Sequence, residues 1–122
     1  MKYSVIVTEI AKRDFVRNAS YIANELMNIT AAEALLSDTD KAIASLEQMP
    51  YRQPLVRDKY LATLGIRILP VKRYYLFYRV EENNAVVQII RQLHGKQNWK
   101  KILQIDSVPM YLHEETAEDY SA

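Results

Sequence analysis

The sequence predicts an α+β fold in which one strand and two helices precede a mainly antiparallel β-sheet. Strand-like residues open the chain, helical apolar spacing follows to about residue 50, and aromatic and β-branched runs dominate residues 66–93. Strands that follow a helical pair in this way pack with the helices on one face of the sheet. The expected order is therefore β-α-α-β-β-β, with the other face partly open.

The N-terminal half predicts a strand and an antiparallel helical hairpin. Residues 3–8, "YSVIVT", are β-branched and aromatic, as strands are. Apolar residues then recur at three- and four-residue steps, which predicts a helix whose outward side includes Asn18. Thr30 and Glu33 form a capping-box pattern, so a second helix is expected near Ala31, ending at Pro50. The apolar stripes are Ala11, Phe15, Ala19, Ile22, Ala23 and Leu26 in the first helix and Ala31, Leu35, Ala42, Ile43, Leu46 and Met49 in the second.

The second half predicts three strands and a short final helix. "IRILPVKRYYLFYRV" and "AVVQIIRQL" flank the polar "EENN", a pattern typical of a β-hairpin. Pro70 lacks an N–H group, so the first run is expected to break there into strands near 65–69 and 73–80. Residues 98–104 are expected to add a helical turn. The pleat places Tyr75, Phe77 and Arg79 on one face of the sheet and Tyr74, Leu76 and Tyr78 on the other.

Charge is distributed unevenly along the chain. The net charge is +1, but residues 1–51 carry −2, residues 52–101 carry +8 and residues 102–122 carry −5. A strongly basic segment with many aromatic residues fits a phosphate backbone or an acidic partner protein, and a merely solvated basic surface is the alternative. The candidate target-binding or phosphate-binding residues are Arg67, Arg73, Tyr75, Arg79, Arg91, Lys96 and Trp99.

Missing residue types exclude several kinds of site. The chain has no cysteine and therefore no disulfide, thiol nucleophile or Cys-based zinc site. His94 and His113 alone make a poor metal site, so neither a metal nor a cofactor is expected. No apolar run reaches the ~20 residues of a membrane-spanning helix, and the first residues lack a signal-peptide pattern. A cytoplasmic location is therefore expected.

Residues 1–104 are expected to form one domain and residues 105–122 an acidic C-terminal tail. The tail contains five Asp or Glu residues and no Lys or Arg, and it has no clean apolar period. Because opposite charges attract, the acidic tail is expected to fold over the basic face and mask it. This attraction is strongest at low salt.

Residues 1–104 resemble the RelE/ParE superfamily of bacterial type II toxins. The resemblance rests on the element order, on the opening "YSVIVTEIAKRDF" and on the pairing of "YYLFYRV" with "VVQIIRQLHGKQNW". It implies a growth-arresting toxin of a plasmid stabilisation module, restrained by a cognate antitoxin in a hetero-oligomer.

Two mechanisms divide the superfamily. RelE-like members cleave mRNA in the ribosomal A site, with basic side chains on the phosphate and a Tyr or His assisting attack. ParE-like members inhibit DNA gyrase without catalytic residues of their own. Here Tyr75 and Gln97 stand where RelE-like members carry arginines, and His94 is the one candidate acid or base. The resemblance therefore slightly favours gyrase inhibition over mRNA cleavage by His94, and a non-toxic interaction module on the same fold is the third interpretation.

Overall fold

The computed structural model of the 122-residue chain describes residues 2–104 and confirms the predicted α+β order. The predicted acidic tail lies outside the described residues. Within residues 2–104, no helix combines the length and apolar character needed to cross a membrane. The helices are α1 (Glu9–Ser20), α2 (Ile29–Gln48), α3 (Lys59–Thr63) and α4 (Trp99–Ile102), and the strands are β1 (Ser4–Val7), β2 (Arg67–Val71), β3 (Tyr74–Glu81) and β4 (Val86–His94).

The four strands form one sheet in the order β1-β4-β3-β2, in which β1 runs parallel to β4 and the other neighbours are antiparallel. The predicted split of this run into two strands is confirmed, but the break does not fall at Pro70, which continues β2 and pairs with Tyr75. Since β2 is an edge strand of this sheet, a missing N–H group is tolerated there. The chain reverses two residues later at Lys72, whose φ of 58° lies in the left-handed region.

The helical hairpin forms as predicted, but its second helix begins earlier. Asn28, rather than Thr30, caps α2, because its side chain accepts the N–H of Ala31 at 2.9 Å. A π-helical turn over Tyr21–Glu25 extends α1, and Met27 then adopts a φ of 54° that redirects the chain.

The first core lies between the hairpin and the sheet. Leu35 and Leu46 of α2 are buried there, and the small, fully buried Ala11 belongs to the α1 side of the same cluster. Leu26 and Met49, which the spacing assigns to the apolar stripes, are both 56% exposed because each lies just beyond its helical segment. The sheet contributes Leu69, Val71, Tyr74, Leu76, Tyr78, Val87 and Ile89.

The second face of the sheet has a core of its own, so the prediction of a partly open face is wrong. The segment before β2 contains α3, whose Leu61 is fully buried. Asp58 caps α3 by accepting the N–H of Leu61 at 3.0 Å. Leu103, just after α4, is also buried, as the predicted final helical turn requires. The sheet residues of this second core are Phe77, Ile90 and Leu93, and Ile66, just before β2, also belongs to it.

Strand β4 extends beyond the end of β1, and side chains replace the missing strand neighbour. Backbone groups on that edge would cost about 1–3 kcal/mol each if buried without partners. Asn18, predicted to face outward, is instead buried against this edge. The bonds are Thr8 Oγ1 to Ile90 O (3.1 Å), Gln92 N to Asp14 Oδ2 (2.9 Å), Asn18 Nδ2 to Gln92 O (3.1 Å) and His94 N to Gln97 Oε1 (2.9 Å).

Asp14 is the centre of this edge. Its carboxylate is fully buried and accepts from Arg91 Nε at 2.7 Å and from Arg91 Nη2 at 3.0 Å. Arg17 pairs with the same carboxylate from the partly exposed side. Burying an unpaired carboxylate costs several kcal/mol, so the ion pairs and the Gln92 N–H together make this position of Asp14 possible.

Replacing Asp14 with Ala is expected to reduce the free energy of unfolding by about 3–5 kcal/mol, because it leaves the Arg91 guanidinium buried without its carboxylate. Urea denaturation measures the loss. Adding Arg91→Met to the Asp14→Ala variant should recover part of it, since the buried guanidinium charge is then gone.

Asp38→Ala is the matched control, because Asp38 pairs with Lys72 at 3.1 Å on the surface. Exposed pairs contribute about 0–1 kcal/mol. Equal losses for the two Asp→Ala variants would contradict a structural role for the buried pair.

Candidate functional site

Arg91 lies in the interior rather than on an exposed basic face. Only 8% of the residue is exposed, and Asp14 holds its guanidinium from α1. The prediction that Arg91 belongs to an exposed surface is therefore wrong. Its charge is used to balance a buried carboxylate.

Arg67 and Arg79 attach the segment before β2 to the sheet. Arg67 Nη1 donates to the Gln53 carbonyl. Arg79 donates from Nε to the Leu64 carbonyl at 3.3 Å and from Nη1 to Gln88 Oε1 at 3.0 Å. Both arginines are half-buried. Their positions follow from backbone carbonyls that would otherwise lack partners.

Tyr75 and Trp99 form an aromatic cluster over the second core. Their ring centroids are 6.3 Å apart, and Trp99 also packs on Phe77 at 5.4 Å. Lys100 lies 5.7 Å from the Trp99 ring centroid, within the range of a cation–π contact. Tyr75 and Trp99 are half-buried, so each has a packing role and a partly accessible edge.

His94 and Arg73 meet at one end of the sheet. The hairpin register places Tyr74 opposite His94, and the Gly95 N–H donates to the Arg73 carbonyl at 2.9 Å. A Cβ atom on Gly95 would lie 3.2 Å from the Tyr75 ring, so glycine permits this close approach of the two turns. Lys96, also predicted as a site residue, is exposed in the same turn.

A cavity of about 700 Å³ opens between this end of the sheet and the helical hairpin. We call it the sheet-end groove. It contains two predicted site residues, Arg73 and His94, and several that the sequence analysis did not select. Its lining consists of Arg17, Asn18, Tyr21, Ile22, Leu26, Asn28, Ala31, Leu35, Lys72, Arg73, Tyr74, His94 and Gln97.

The other lining residues were not predicted because the sequence patterns indicated a binding surface on a face of the sheet rather than at its end. The hairpin register could have identified Tyr74, since it pairs directly with His94. The positions of Arg17 and Tyr21 depend on how α1 packs against β4. No local pattern reports that contact.

The sheet-end groove offers hydrogen-bond donors and fixed positive charge. Arg17, Lys72 and Arg73 supply the cations, of which Arg17 also pairs with Asp14 and Lys72 with Asp38, and no described carboxylate is among the lining residues. Burial raises the pKa of Tyr74, and the nearby Tyr21 adds to this effect. Tyr74 therefore remains a protonated donor at neutral pH. Among residues 2–104, no cluster of three His, Asp or Glu side chains could hold a metal ion.

His94 is oriented by its own turn. Its Nδ1 accepts the Lys96 N–H at 3.1 Å, and its ring packs edge-on against Tyr74 with the centroids 5.1 Å apart. The Gln97 N–H donates to the His94 carbonyl at 2.9 Å and closes the turn. With Nδ1 acting as an acceptor, the neutral ring carries its proton on Nε2.

Long-range ¹⁵N–¹H NMR spectra are expected to show the neutral His94 ring almost entirely as the Nε2–H tautomer, because the Lys96 N–H occupies Nδ1. Gln97→Ala removes the side-chain acceptor of the His94 N–H and should loosen the turn, raising the fraction of the other tautomer. A dominant Nδ1–H tautomer in the unmodified protein would contradict this geometry.

Comparison with known proteins identifies the family. The sequence profile of the family described as "ParE toxin of type II toxin-antitoxin system, parDE" matches residues 5–99. The match covers most of the chain, so the chain belongs to the ParE toxin family of type II toxin-antitoxin systems. A comparison with curated protein sequences returns no match.

Solved structures with the same fold include three toxin-antitoxin proteins. The chromosomal ParDE system of P. aeruginosa aligns with a TM-score of 0.60 at 18% identity, covering 76% of this chain and 96% of that chain. The toxin-antitoxin complex RelBE2 of Mycobacterium tuberculosis aligns with a TM-score of 0.50 at 26% identity, covering 77% and 99%. A double arginine-to-alanine mutant of the E. coli toxin RelE in the free state aligns with a TM-score of 0.55 at 15% identity, covering 86% and 99%.

These matches agree with the fold described above and with the resemblance found in the sequence. The protein is a type II toxin-antitoxin toxin with the RelE/ParE fold, and its family is ParE.

Proposed function

We propose that this toxin arrests bacterial growth in the ParE manner, by inhibiting DNA gyrase. The observation that carries this proposal is the use made of its arginines. Arg67 donates to a backbone carbonyl, and Arg79 donates to a backbone carbonyl and to the side-chain amide oxygen of Gln88. Arg91 pairs with the Asp14 carboxylate. These three side chains therefore hold the fold together. The family match over residues 5–99 supports the same branch.

The arginine contacts bear on mechanism because RNA cleavage develops charge on the phosphate. Preorganised donors aimed at that charge usually supply the largest catalytic contribution. To serve there, Arg91 would have to leave a buried carboxylate, at a cost of several kcal/mol. Inhibition by binding requires no such clamp, and the contacts of Arg67 and Arg79 can persist during it.

A cognate antitoxin is the proposed partner, in a hetero-oligomer that restrains the toxin. The ParE family is defined by its place in toxin-antitoxin systems, and the RelBE2 structure is a toxin-antitoxin complex. Both proposed targets, gyrase and the ribosome, lie in the cytoplasm, which is the proposed location of the toxin.

A ribosome-dependent mRNA endonuclease is the second candidate, and one observation favours it. His94 lies in the same groove as Arg73 and Lys72, which brings one titratable base near two cations. In this mechanism His94 would assist attack by the ribose 2′-OH, while Arg73 and Lys72 would hold the phosphate.

Inducing the toxin in a bacterium separates the two mechanisms. Gyrase inhibition is expected to produce trapped gyrase–DNA complexes and a DNA-damage response without codon-linked transcript cuts. His94→Ala is expected to leave this phenotype largely intact, because the proposed mechanism uses no acid–base group.

The matched control is Lys59→Ala on the exposed surface of α3, away from the sheet-end groove. Codon-linked cuts that Lys59→Ala preserves and His94→Ala lowers by about 10²–10⁴ would replace the gyrase proposal with the endonuclease. Absence of any growth defect at full expression would contradict both and favour an interaction module on the toxin fold.

A further inference from the structure

Two buried polar groups that line the sheet-end groove lack hydrogen-bond partners. Tyr74 is only 7% exposed, and its hydroxyl forms no hydrogen bond within residues 2–104. Asn18 is also 7% exposed, and its Nδ2 donates to both the backbone carbonyl and the side-chain oxygen of Gln92. Because both of these partners are acceptors, the Asn18 Oδ1 atom is left without one. Buried polar atoms are almost always paired in native proteins, so both groups are available to a ligand.

His94 and Arg73 add hydrogen-bond donors at the strand end of the groove. The His94 Nδ1 atom accepts the Lys96 N–H, so the neutral ring keeps Nε2–H as a donor, and this group has no partner in the described part of the chain. Arg73 is exposed and, unlike Arg17 and Lys72, pairs with no carboxylate of residues 2–104. An anionic oxygen at this end of the groove would therefore meet two N–H donors.

The donors and the buried acceptor lie at different depths of the groove. Tyr74 lies opposite His94 in the β3–β4 ladder. Asn18 binds Gln92, which precedes His94 by two residues and therefore lies on the same face of β4. Two residues of a strand span about 7 Å. A ligand that reaches both ends thus needs an anionic group at the strand end and a hydrogen-bond donor about 7 Å farther in.

The groove also offers the space and the apolar surface that a small molecule needs. Its volume of about 700 Å³ lies within the range of small-molecule sites, which combine an apolar lining with a few well-placed polar groups. An aromatic ring would cover much of this apolar surface and leave the polar groups at its two ends. The five other apolar or aromatic lining residues are Tyr21, Ile22, Leu26, Ala31 and Leu35.

We propose that the sheet-end groove binds a small aromatic carboxylate whose ring carries an N–H or O–H group. The carboxylate accepts from Arg73, from His94 Nε2 and from the Tyr74 hydroxyl. The ring N–H or O–H donates to Asn18 Oδ1. This binding site is separate from the question of the toxin's target and holds whichever target the toxin has.

The second cavity of the described chain lacks this combination. It lies beside α2 and β2 and measures about 310 Å³. The Asp38 carboxylate is among its lining residues and would repel an anionic ligand. None of its polar lining residues is buried, and Arg52 there already donates to the Ser45 hydroxyl at 2.9 Å.

NMR titration of the ¹⁵N-labelled full chain with indole-3-acetate and with 4-hydroxyphenylacetate tests the proposal. Each probe carries a carboxylate at one end and a ring donor at the other. Saturable shifts are expected at the amides of Ile22, Tyr74 and His94, with a Kd of about 1 mM or below for ligands of this size. The amide of Tyr60 on α3 should not shift.

Matched probes separate the two polar ends without altering the protein. Indole-3-acetamide lacks the negative charge, and 1-methylindole-3-acetate lacks the ring N–H. Each is expected to bind roughly tenfold more weakly than indole-3-acetate, because each leaves a groove partner without its hydrogen bond.

Matched variants test the protein side of the same contacts. Tyr74→Phe keeps the ring and removes the hydroxyl, and Arg73→Gln removes the cation, so each should raise the Kd roughly tenfold. Tyr60→Phe and Arg57→Gln are the controls, because both residues are exposed and neither lines the groove. Both controls should leave the Kd unchanged, and the ¹⁵N–¹H spectrum of each variant shows whether it is folded.

Three outcomes would overturn the proposal. The first is the absence of saturable shifts with both probes at about ten times the expected Kd. The second is a set of shifts centred on α3 instead of the groove. The third is an unchanged Kd for either matched probe or for the folded Tyr74→Phe variant. None of these readouts depends on toxicity, so their failure is distinct from failure of the gyrase proposal.

Discussion

The buried carboxylate of Asp14 joins α1 to the edge of β4 that β1 does not cover. Strand β4 continues past the last residue pair that it forms with β1. Helix α1 runs along the part of the β4 edge that β1 does not cover. The Asp14 side chain accepts the backbone N–H of Gln92 there and balances Arg91 at the same time. A carboxylate can do both because it has two oxygens and about four lone-pair sites.

The same contacts determine where the functional groups lie. Gln92 connects three elements, since its backbone binds Asp14 and its side-chain amide donates to Thr39 of α2 at 2.9 Å. Asn18 donates to the Gln92 side-chain oxygen at 3.2 Å, which fixes α1 relative to β4. Because α1 is held in this way, Arg17 and Tyr21 line the sheet-end groove together with His94. The groove is therefore a consequence of satisfying the edge of β4.

Net charge in a segment differs from charge available to a partner. Residues 52–101 carry +8, but Arg91 balances Asp14, and Arg67 and Arg79 satisfy backbone carbonyls. The basic groups of this segment that are exposed lie instead in the turns at Lys72, Arg73 and Lys96, on α4, and before or on α3 at Arg52, Arg57 and Lys59, and none of them lies in a strand. This arrangement favours binding through the end of the sheet over chemistry on its face.

Local patterns predicted the elements, whereas the site depended on distant contacts. The helical hairpin and the β3–β4 hairpin follow from apolar periodicity and turn residues that lie close together in the sequence. Asp14 and Arg91 are 77 residues apart, and nothing in the run "AKRDFVRN" distinguishes a buried carboxylate from a solvated one. The position of the strand break was predicted wrongly because the effect of Pro70 depends on whether its strand lies at the edge of the sheet. That is a property of the whole sheet.

Native-state hydrogen exchange of the Gln92 amide measures whether the Asp14 carboxylate protects the edge of β4. This N–H points away from β3 and its acceptor is a side-chain carboxylate on α1, so an edge without that bond would exchange through local opening. We expect Gln92 to exchange as slowly as the buried amides of β3 and β4, through global unfolding. Exchange at the rate of the exposed Lys96 turn would contradict it.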